Sequence, residues 1–360
     1  MNPVRVGLIG CGKVGSIHAA ALKSITEADF VAACDSNADR ASAFAAKYGV
    51  RPFTDLPAML KEVDAVIIGT PHPLHAEPAI RAAGAGVHVL VEKPMAATAA
   101  DCDAMLAAAK QSGIVLGVIS QRRFFEPVQR IKAAIDAGKI GKPSLGVFIM
   151  YSWREPSYYT SDPWRGKWDT EGGGVLVNQS PHQLDILLWL LGPAAEVSGY
   201  WANVNHPNVE VDDTAIANIR FKNGGLGSVI TSVSQRPGIF TKVHIHGSNG
   251  ASVGVETDRG ATFIAGVSAI SEPPLTDLWT VPSEEKLLSQ FQDEDRASFA
   301  AVDATVHYHA LQIRDFLQAV QQKRPPLVSG EDGRAVVELF SAIYRSNRER
   351  RSIALGGISP

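Results

Sequence analysis

The first third of the chain alternates short apolar runs with segments of helical spacing. VRVGLIG (4–10), DFVAACD (29–35) and DAVIIGT (64–70) have the length of strands, and two similar runs follow at 87–93 and 114–120. The segments between them, which are predicted to be helices, lie at 13–25, 38–49, 74–86 and 98–113. Because the apolar runs show little polar alternation, they predict a parallel sheet that helices cover on both faces. Right-handed crossovers then give a doubly wound α/β fold.

From residue 144 onwards, apolar and polar positions alternate with a period of two. The runs of this kind lie at 144–153, 197–205, 213–221, 226–235, 242–248, 251–257 and 260–266. Such alternation, with short turns between the runs, predicts a large, open, mostly antiparallel sheet with one covered face. We expect the covering helices at 181–191, 307–322 and 331–346.

A chain of 360 residues is too long for one compact core, so we predict two domains. The first is a nucleotide-binding domain at 1–122. The second is an α/β domain at 123–360, which binds substrate and forms oligomers, and its C-terminal helices can pack back on the first domain. The open face of its sheet predicts a homodimer or homotetramer.

Composition and charge argue against several functional classes. The formal net charge is −3 with no basic block, which argues against a nucleic-acid partner. No apolar run reaches the roughly 20 residues of a membrane helix, and the start MNPVRVGLIGCG has no signal-peptide pattern. The cysteines are few, odd in number and far apart, which indicates a reducing compartment and a cytoplasmic location. We expect no metal.

The turn after the first apolar run reads G-C-G-K-V-G and predicts a dinucleotide site. Gly10 allows the tight turn, Gly12 lets backbone N–H groups approach a pyrophosphate, and Gly15 lets the helix pack close to the strand. The N-terminus of that helix stabilises phosphate charge. The sequence therefore predicts a Rossmann domain. We interpret Cys11 as a small residue that fits this turn, in preference to a redox group.

Asp35 ends the second apolar run, where a carboxylate can accept hydrogen bonds from both ribose hydroxyls. It would also repel a 2′-phosphate, which favours NAD. Arg40 could serve such a phosphate, so NADP stays the alternative. The other candidate cofactor contacts lie in the glycine turn and at the ends of later strands: Cys11, Lys13, Val14, Ser36, Thr70, Pro71, His72, His75, Glu92, Gln121 and Arg122.

The segment VLVEKPMA (89–96) is a second chemical feature. Ligands of parallel sheets bind outside the carboxyl ends of the strands, so Lys93 should project towards the nicotinamide half of a cofactor. Pro94 raises the chance of a cis bond after Lys93. His72 and His75 end the preceding strand in the same way, and they are either cofactor contacts or ordinary loop and cap residues.

The stretch EGGGVLVNQSPHQLD (171–185) precedes an apolar helix. Ser180 is a suitable N-cap and Pro181 a suitable first residue, so His182 is expected in the first helical turn. Asp185 lies on the same face and could orient the imidazole. The glycines at 172–174 are expected to let backbone pass where any Cβ would collide with cofactor or substrate.

The two residues before Ser180 are candidate substrate ligands. Asn178 and Gln179 can hydrogen-bond a polyol. If the helix instead began before Asn178, Asn178 and His182 would be i, i+4 neighbours, but Pro181 would then cost a backbone hydrogen bond. We prefer the later start.

Four motifs together resemble one known family: Gly10-x-Gly12-x-x-Gly15, Asp35, Glu92-Lys93-Pro94 and GGGVLVNQSPHQLD (172–185). They resemble the Gfo/Idh/MocA oxidoreductases, named for glucose–fructose oxidoreductase and inositol dehydrogenase. The similarity spans most of the chain and extends to the closing helices at 309–346. It implies an enzyme that uses NAD(P) to transfer a hydride to or from a secondary alcohol of a sugar, cyclitol or glycoside. The alternatives are a dehydrogenase of a non-sugar cyclic diol and a non-catalytic regulator that binds the dinucleotide.

The resemblance also implies roles for individual residues. Lys93 would hydrogen-bond the substrate oxygen, and His182 would take the hydroxyl proton as the hydride leaves. The family usually has an aspartate where this chain has Asn178. Since asparagine cannot accept a proton, acid–base chemistry must rest on Lys93 and His182.

An aromatic and arginine-rich loop at 151–174 precedes the glycines. Aromatic faces stack on sugar CH surfaces and arginines bond hydroxyls, although a packed structural loop would have the same composition. The candidate substrate contacts are Tyr151, Trp164 and Arg165 from this loop, Arg122 from the end of the last nucleotide-domain strand, and His309 from a distant helix.

Overall fold

The computed structural model describes residues 2–260, 263–264 and 268–356. Its strands are β1 (Val4–Ile9), β2 (Ala28–Cys34), β3 (Arg51–Phe53), β4 (Ala65–Ile68), β5 (His88–Val91), β6 (Leu116–Val118), β7 (Pro143–Tyr151), β8 (Ala194–Ala202), β9 (Thr214–Phe221), β10 (Leu226–Ser232), β11 (Phe240–Gly247), β12 (Ser252–Asp258), β13 (Leu275–Trp279) and β14 (Ile353–Ala354). Its helices are α1 (Lys13–Lys23), α2 (Ala38–Tyr48), α3 (Leu56–Leu60), α4 (Ala76–Gly84), α5 (Ala99–Ser112), α6 (Glu126–Asp136), α7 (Pro156–Thr160), α8 (Trp168–Glu171), α9 (Val175–Asn178), α10 (Pro181–Leu191), α11 (Leu287–Ala300), α12 (Ala304–Gln322) and α13 (Gly330–Glu349). Within this described part, no helix combines the length and the hydropathy that crossing a membrane requires.

The chain divides into two compact units. The first comprises residues 1–121, 263–270 and 304–334. The second comprises residues 122–262, 271–303 and 335–360.

The first unit is built on a six-stranded sheet in the order β3-β2-β1-β4-β5-β6. Every pair in it is parallel, which confirms the doubly wound fold predicted from the apolar runs. Because the strands are parallel, the turns that follow β1, β2, β4 and β5 lie at one edge of the sheet. Strand β3 and helix α3 were not anticipated, since both are too short to show a period.

Helix α12, from late in the sequence, belongs to the first unit. It packs against α1, and its Ile313, Phe316 and Leu317 are buried in one core with Leu8 and Leu22. The expectation that this helix covers the antiparallel sheet is therefore wrong. The apolar stripe of α12 predicts that one face of the helix is buried. It does not indicate which of the two sheets that face packs against.

The second unit contains an eight-stranded sheet in the order β13-β12-β11-β7-β10-β9-β8-β14. All neighbours are antiparallel except β7 and β10, which pair in parallel, so the sheet is mixed but mostly antiparallel, as predicted. The strand predicted at 260–266 includes residues outside the described part of the chain. Strand β13 and helix α11 were not predicted.

One face of this sheet is covered and the other is open. Strand β9 shows the alternation directly, because its residues are buried and exposed in turn. Helix α10 packs on β7 and β11, where Gly146 leaves room for Leu187 and Leu191. Helix α13 lies near β8, since Ser346 Oγ accepts a hydrogen bond from the Gly199 N–H. The covering roles predicted for 181–191 and 331–346 are confirmed.

Candidate active site

The glycine turn at the end of β1 has the geometry that a dinucleotide needs. Gly10 has φ 98°, and a Cβ there would lie 2.8 Å from the backbone of Gly69. A Cβ on Gly15 would lie 2.2 Å from the Gly10 carbonyl oxygen, so this position is closed to any side chain. A Cβ on Gly12 would meet nothing within 4 Å. Gly12 is also the N-cap of α1, so open space lies directly before the backbone N–H groups of a helix N-terminus.

Asp35 follows β2 at the same edge of the sheet. It is buried, and its two carboxylate oxygens accept backbone hydrogen bonds from Cys11 (3.0 Å) and Asn37 (2.9 Å). The exposed Arg40 guanidinium lies 3.5 Å from the same carboxylate. Burial raises the pKa of the Cys11 thiol to about 12, which agrees with a packing role in the turn. This arrangement, together with the open space at Gly12, fits the ribose and pyrophosphate of NAD.

Glu92 and Lys93 follow β5. A histidine that was not predicted from the sequence as a site residue contacts Glu92. His18 of α1 lies with Nε2 2.8 Å from Glu92 Oε1, and Glu92 Oε2 accepts the Lys93 backbone N–H at 3.0 Å. Burial raises the pKa of Glu92, but the hydrogen bond and charge of His18 outweigh it and bring the pKa to about 2. The sequence did contain an indication that His18 has a buried polar partner, since His18 is a polar residue on the buried stripe of an alanine-rich helix.

His309 joins this cluster from α12. Its ring packs edge-on against His18 with 5.5 Å between centroids, and its Nδ1 donates to the Thr305 carbonyl at 3.0 Å. Burial, followed by the charge of His18, lowers the pKa of His309 to about 4. The residue is only 4% exposed, so its imidazole is neutral and enclosed near neutral pH.

His75 connects two of the turns at this edge. Its fully buried ring lies between two carbonyl oxygens, with Nδ1 3.0 Å from that of Pro94 and Nε2 2.9 Å from that of Thr70, and the neutral imidazole donates to one of them. The Lys93–Pro94 peptide bond is cis. His72 is also buried, at the start of a short 3-10 segment. These bonds make His75 a support for the turn that carries Lys93.

In the second unit, two glycines of the triplet lie against other parts of the protein. A Cβ on Gly173 would lie 2.4 Å from the Tyr344 hydroxyl, and one on Gly174 would lie 1.8 Å from the Asp212 carbonyl oxygen. A Cβ on Gly172 would meet nothing within 4 Å. Contacts within the protein therefore account for Gly173 and Gly174, whereas the expectation that cofactor or substrate requires a glycine stays a prediction for Gly172. Tyr344 donates a hydrogen bond to Asp212, and the backbone of 173–174 must pass closely over this buried pair.

Helix α10 begins at Pro181, so His182 lies in its first turn, as predicted, and is 8% exposed. Ser180 is the N-cap residue, but its hydroxyl donates to the Val175 carbonyl at 2.9 Å and does not cap the helix. Asp185 has a partner that was not anticipated from the sequence, and its suggested role in orienting His182 stays a prediction. It accepts two hydrogen bonds, of 2.7 and 2.6 Å, from the buried guanidinium of Arg123.

The two amides before Ser180 are held by the aromatic loop. Asn178 Nδ2 donates to Glu171 Oε1, and Gln179 Nε2 donates to the Tyr158 hydroxyl at 3.1 Å. Glu171 is buried at 1% exposure and also accepts the Gly166 N–H at 2.5 Å. Its pKa is raised by burial. Sequence reasoning did not select Glu171, because an acid before three glycines gives no signal of its partner.

Arg165 organises this loop. Its guanidinium bonds Asp162 at 3.2 Å, donates to the Tyr158 hydroxyl, and stacks over the Tyr158 and Trp164 rings at 4.3 and 4.4 Å from their centroids. The loop is therefore a packed structure as well as a candidate binding surface.

Three further residues that were predicted to contact cofactor or substrate make other contacts within their own units. The Tyr151 ring packs on Phe240 with 5.5 Å between centroids. Arg122 bonds the side chains of Thr257 (2.9 Å) and Asp258 (3.0 Å). Gln121 is buried at the end of the first unit's main segment. The structure thus divides the main candidates between the two units. The first unit contains Gly10, Gly12, Gly15, Asp35, Thr70, His75, Glu92, Lys93 and His309, and the second contains Trp164, Arg165, Asn178, Gln179 and His182.

The chain is similar over nearly its full length to characterised dehydrogenases. It is 29% identical to a myo-inositol 2-dehydrogenase of Thermotoga maritima, with 98% of each chain covered. It is 27% identical to a D-glucoside 3-dehydrogenase of Escherichia coli, over 96% of this chain and 95% of that one. The WlbA dehydrogenase of Bordetella pertussis, solved with NADH and UDP-GlcNAcA, is 29% identical and superposes with a TM-score of 0.85 over 99% of both chains.

Both domains of one family match in the expected order. Residues 4–120 match the domain described as oxidoreductase family, NAD-binding Rossmann fold. Residues 128–253 match the GFO/IDH/MocA C-terminal domain. The two matches cover well over half of the sequence. The chain therefore belongs to the Gfo/Idh/MocA family of oxidoreductases, and its N-terminal domain is an NAD-binding Rossmann domain.

Proposed function

We propose that the protein is an NAD-dependent dehydrogenase that oxidises a secondary alcohol of a cyclitol, sugar or glycoside, or reduces the corresponding ketone. The observation that carries this proposal is the position of Lys93. It follows a strand of the same parallel sheet whose β1–α1 turn is shaped for a pyrophosphate, and at the same edge. The first unit binds the cofactor, and the second binds substrate.

The acid–base chemistry rests on two side chains. Gly10, Gly12, Gly15 and Asp35 would hold NAD, which would supply the acceptor for the hydride of the carbinol carbon. Lys93 donates a hydrogen bond to the substrate oxygen and stabilises the negative charge that develops there. His182 takes the hydroxyl proton in oxidation and returns it in reduction, as a general base and acid.

Asp35 supports NAD over NADP. Backbone N–H groups hold both of its oxygens in place, and the carboxylate is suited to accept ribose hydroxyls. A 2′-phosphate would meet this buried negative charge. Arg40 is 56% exposed and lies beside Asp35, so its guanidinium already compensates the carboxylate.

Two features support a polyol as substrate. The characterised relatives include enzymes named for inositol and for a D-glucoside. The loop of the second unit presents amide, guanidinium and aromatic groups, which are the partners that hydroxyls and sugar CH faces require.

The open face of the large sheet supports a homodimer or homotetramer. Tyr200, Ile216, Ile230 and Ile149 are cross-strand neighbours on that face. Tyr200 is 66% exposed and Ile216 47%, which forms an apolar row that a second copy would cover. We propose a cytoplasmic location, because the three cysteines are free and buried and form no disulfide, as is usual in a reducing compartment.

The decisive experiment mixes the purified protein with NAD and a panel containing myo-inositol, methyl glucosides and levoglucosan. We expect the absorbance of the reduced cofactor to rise with at least one member of the panel. Tight NAD binding without turnover of any alcohol would instead favour a dinucleotide-binding regulator.

A further inference from the structure

We infer that His206 is a positioning residue: held as an imidazolium, it ties the aromatic loop (151–174) to a neighbouring segment at 203–213, the clamp segment. Both stretches belong to the second unit. The contacts that carry the inference lie within the protein. Its consequence for substrate deepens the proposed function and rests on it, because there the aromatic loop binds the polyol.

The His206 ring lies between two acceptors. Its Nδ1 is 2.8 Å from Asp213 Oδ2, and its Nε2 is 2.8 Å from the Arg154 carbonyl oxygen. Burial raises the pKa of Asp213, but hydrogen bonds from His206 and from the backbone of Asn205 and Val204 outweigh it and hold the pKa below its usual range. Asp213 is therefore an ionised acceptor. A neutral imidazole has one N–H and satisfies one acceptor, whereas an imidazolium satisfies both.

The surroundings of His206 favour its charged form. The residue is 3% exposed and Asp213 is fully buried, so the pair is shielded from solvent. The hydrogen bond to Asp213 raises the pKa of His206 above its ordinary 6.5, although burial opposes this. The ring also packs against Trp153 and Tyr159 of the aromatic loop, with 5.4 and 5.1 Å between centroids, and aromatic faces attract a cation.

The clamp segment holds the aromatic loop at a second place. The Glu210 N–H donates to the Gly166 carbonyl at 2.8 Å, and the Glu210 carbonyl accepts the Trp168 indole N–H at 3.0 Å. Asn203 fixes the backbone of His206, since its Nδ2 donates to the His206 carbonyl at 2.9 Å and its Oδ1 accepts the His206 N–H at 3.0 Å. These contacts of Glu210 do not titrate, whereas the contact through His206 depends on a proton.

Loss of that proton releases the loop. The remaining N–H of a neutral His206 stays on Asp213, because a carboxylate is a stronger acceptor than a carbonyl, and the Arg154 carbonyl loses its donor. Since the folded pKa of His206 is raised, the contact is complete at low pH and is lost as the pH rises through that pKa. The other titratable groups beside the ring are the Tyr159 phenol, which burial keeps neutral by raising its pKa, and the Arg154 guanidinium, which keeps its charge and lies over the Tyr158 ring.

The variant His206→Gln tests the inference through the pH dependence of KM. Glutamine keeps a hydrogen-bond donor but carries no charge, so the clamp is weakened at every pH. At about pH 6, we expect KM for the best polyol of the panel to rise about fivefold or more, while kcat and the dissociation constant for NADH change little. As the pH rises, the wild type loses the same contact, so the ratio of the two KM values should fall towards one. General damage to the fold would leave this ratio constant.

The matched control is His244→Gln. His244 also pairs with an acid in the second unit, Asp277 at 2.9 Å, but it lies on β11, outside the aromatic loop. Asp277 keeps Lys242 as a partner at 2.9 Å in this variant. We expect its KM to follow the wild-type pH profile.

Two measurements test the contact without turnover. Nitrogen-15 NMR of histidine-labelled protein follows the protonation of each ring nitrogen, and the spectrum of His206→Gln identifies the His206 signals. Both nitrogens should stay protonated to a higher pH than in the unfolded chain, where histidine titrates near pH 6.5. Hydrogen exchange of the peptide 151–165 should be faster in His206→Gln than in the wild type at about pH 6, and this difference should disappear at alkaline pH.

The outcomes separate the inference from the proposed function. If the wild type oxidises a polyol, but the KM ratio stays constant between about pH 6 and 10 or His206 loses its proton at or below about pH 6.5, the inference is wrong and the proposed function stands. If the wild type oxidises no polyol, while His206 titrates at a raised pKa and loop exchange depends on its charge, the clamp is confirmed and the proposed function fails.

Discussion

His18 Nε2 and Glu92 Oε1 lie 2.8 Å apart, in the interior of the first unit. The pair joins the helix that follows the glycine turn to the residue before Lys93. The other oxygen of Glu92 accepts the Lys93 backbone N–H, so one carboxylate couples the cofactor helix to the backbone of the proposed catalytic lysine.

The first prediction concerns this coupling. His18→Ala removes the donor and leaves Glu92 buried beside an unfilled space, so Lys93 loses its support and kcat should fall about tenfold or more. His18→Gln places an amide N–H close to the former Nε2 and should restore most of kcat. Steady-state kinetics at saturating NAD measures both. Equal losses in the two variants would show that His18 only fills space.

A second prediction follows from the lowered pKa of His309. The folded residue takes up a proton only near pH 4, whereas in the unfolded chain it does so near pH 6.5. The unfolded state therefore binds more protons between these values, and stability falls as the pH drops through that window. The full effect below pH 4 is roughly 3 kcal/mol for an enclosed group.

His309→Asn keeps a donor for the Thr305 carbonyl but cannot take up a proton. Its free energy of unfolding, measured with urea at several pH values, should therefore decline less steeply than that of the wild type between pH 6.5 and 4. An unchanged slope would assign the acid sensitivity to other groups, of which His75 and His88 also have lowered pKa values.

The third prediction compares two glycines of the β1–α1 turn: Gly12, which borders open space, and Gly15, which packs against backbone. Gly12→Ala adds a methyl group to open space, so stability should hold, while the dissociation constant for NAD rises about tenfold or more because phosphate can no longer approach the backbone. Gly15→Ala forces a Cβ against the Gly10 carbonyl and should destabilise the protein by about 1–3 kcal/mol. Thermal melts and fluorescence titration with NADH check both. Tight NADH binding by Gly12→Ala would contradict the assignment of this space to phosphate.

The fourth prediction tests the proposed acid–base residues. Lys93→Ala and His182→Ala should each lower kcat by about 10²-fold or more, while the affinity for NAD changes little. Lys132→Ala, which removes a lysine paired with Asp136 on α6, is the control and should keep full activity. Near-normal turnover by either test variant would refute its assignment.

The fifth prediction concerns the choice of cofactor. Asp35→Ser removes the acceptor for ribose hydroxyls and the charge that opposes a 2′-phosphate, and it leaves Arg40 beside the site. The ratio of kcat/KM for NADP to that for NAD should rise about tenfold or more. If the ratio does not move, Asp35 acts on the turn through Cys11 and Asn37 and not on the ribose.

The sequence predicted the features that depend on near neighbours. The doubly wound sheet follows from apolar runs at regular intervals, and the glycine turn follows from three residues within six positions. The start of α10 at Pro181 was predicted correctly because a proline at the first helical position is a local signal.

Features that depend on distant partners were missed or misread. Arg123 and Asp185 are 62 positions apart, and neither residue shows a preference for the other in the sequence. The role of Gly173 depends on Tyr344, which is carried by the last long helix. His18, Glu92 and His309 come from three separate elements, and the buried stripe around His18 indicated a partner without identifying it.

The contribution of α12 to the first unit has a consequence for biosynthesis. The nucleotide-binding unit includes residues 304–334, so when only the first 121 residues have left the ribosome, the helix that shares a core with Leu8 and Leu22 is still missing. The first unit therefore cannot complete its core until almost the whole polypeptide has emerged from the ribosome. Until then it exposes apolar surface that chaperones can bind. Fragments that end near residue 121 should therefore aggregate, and a cut between the two halves of the gene does not yield an independent cofactor-binding module.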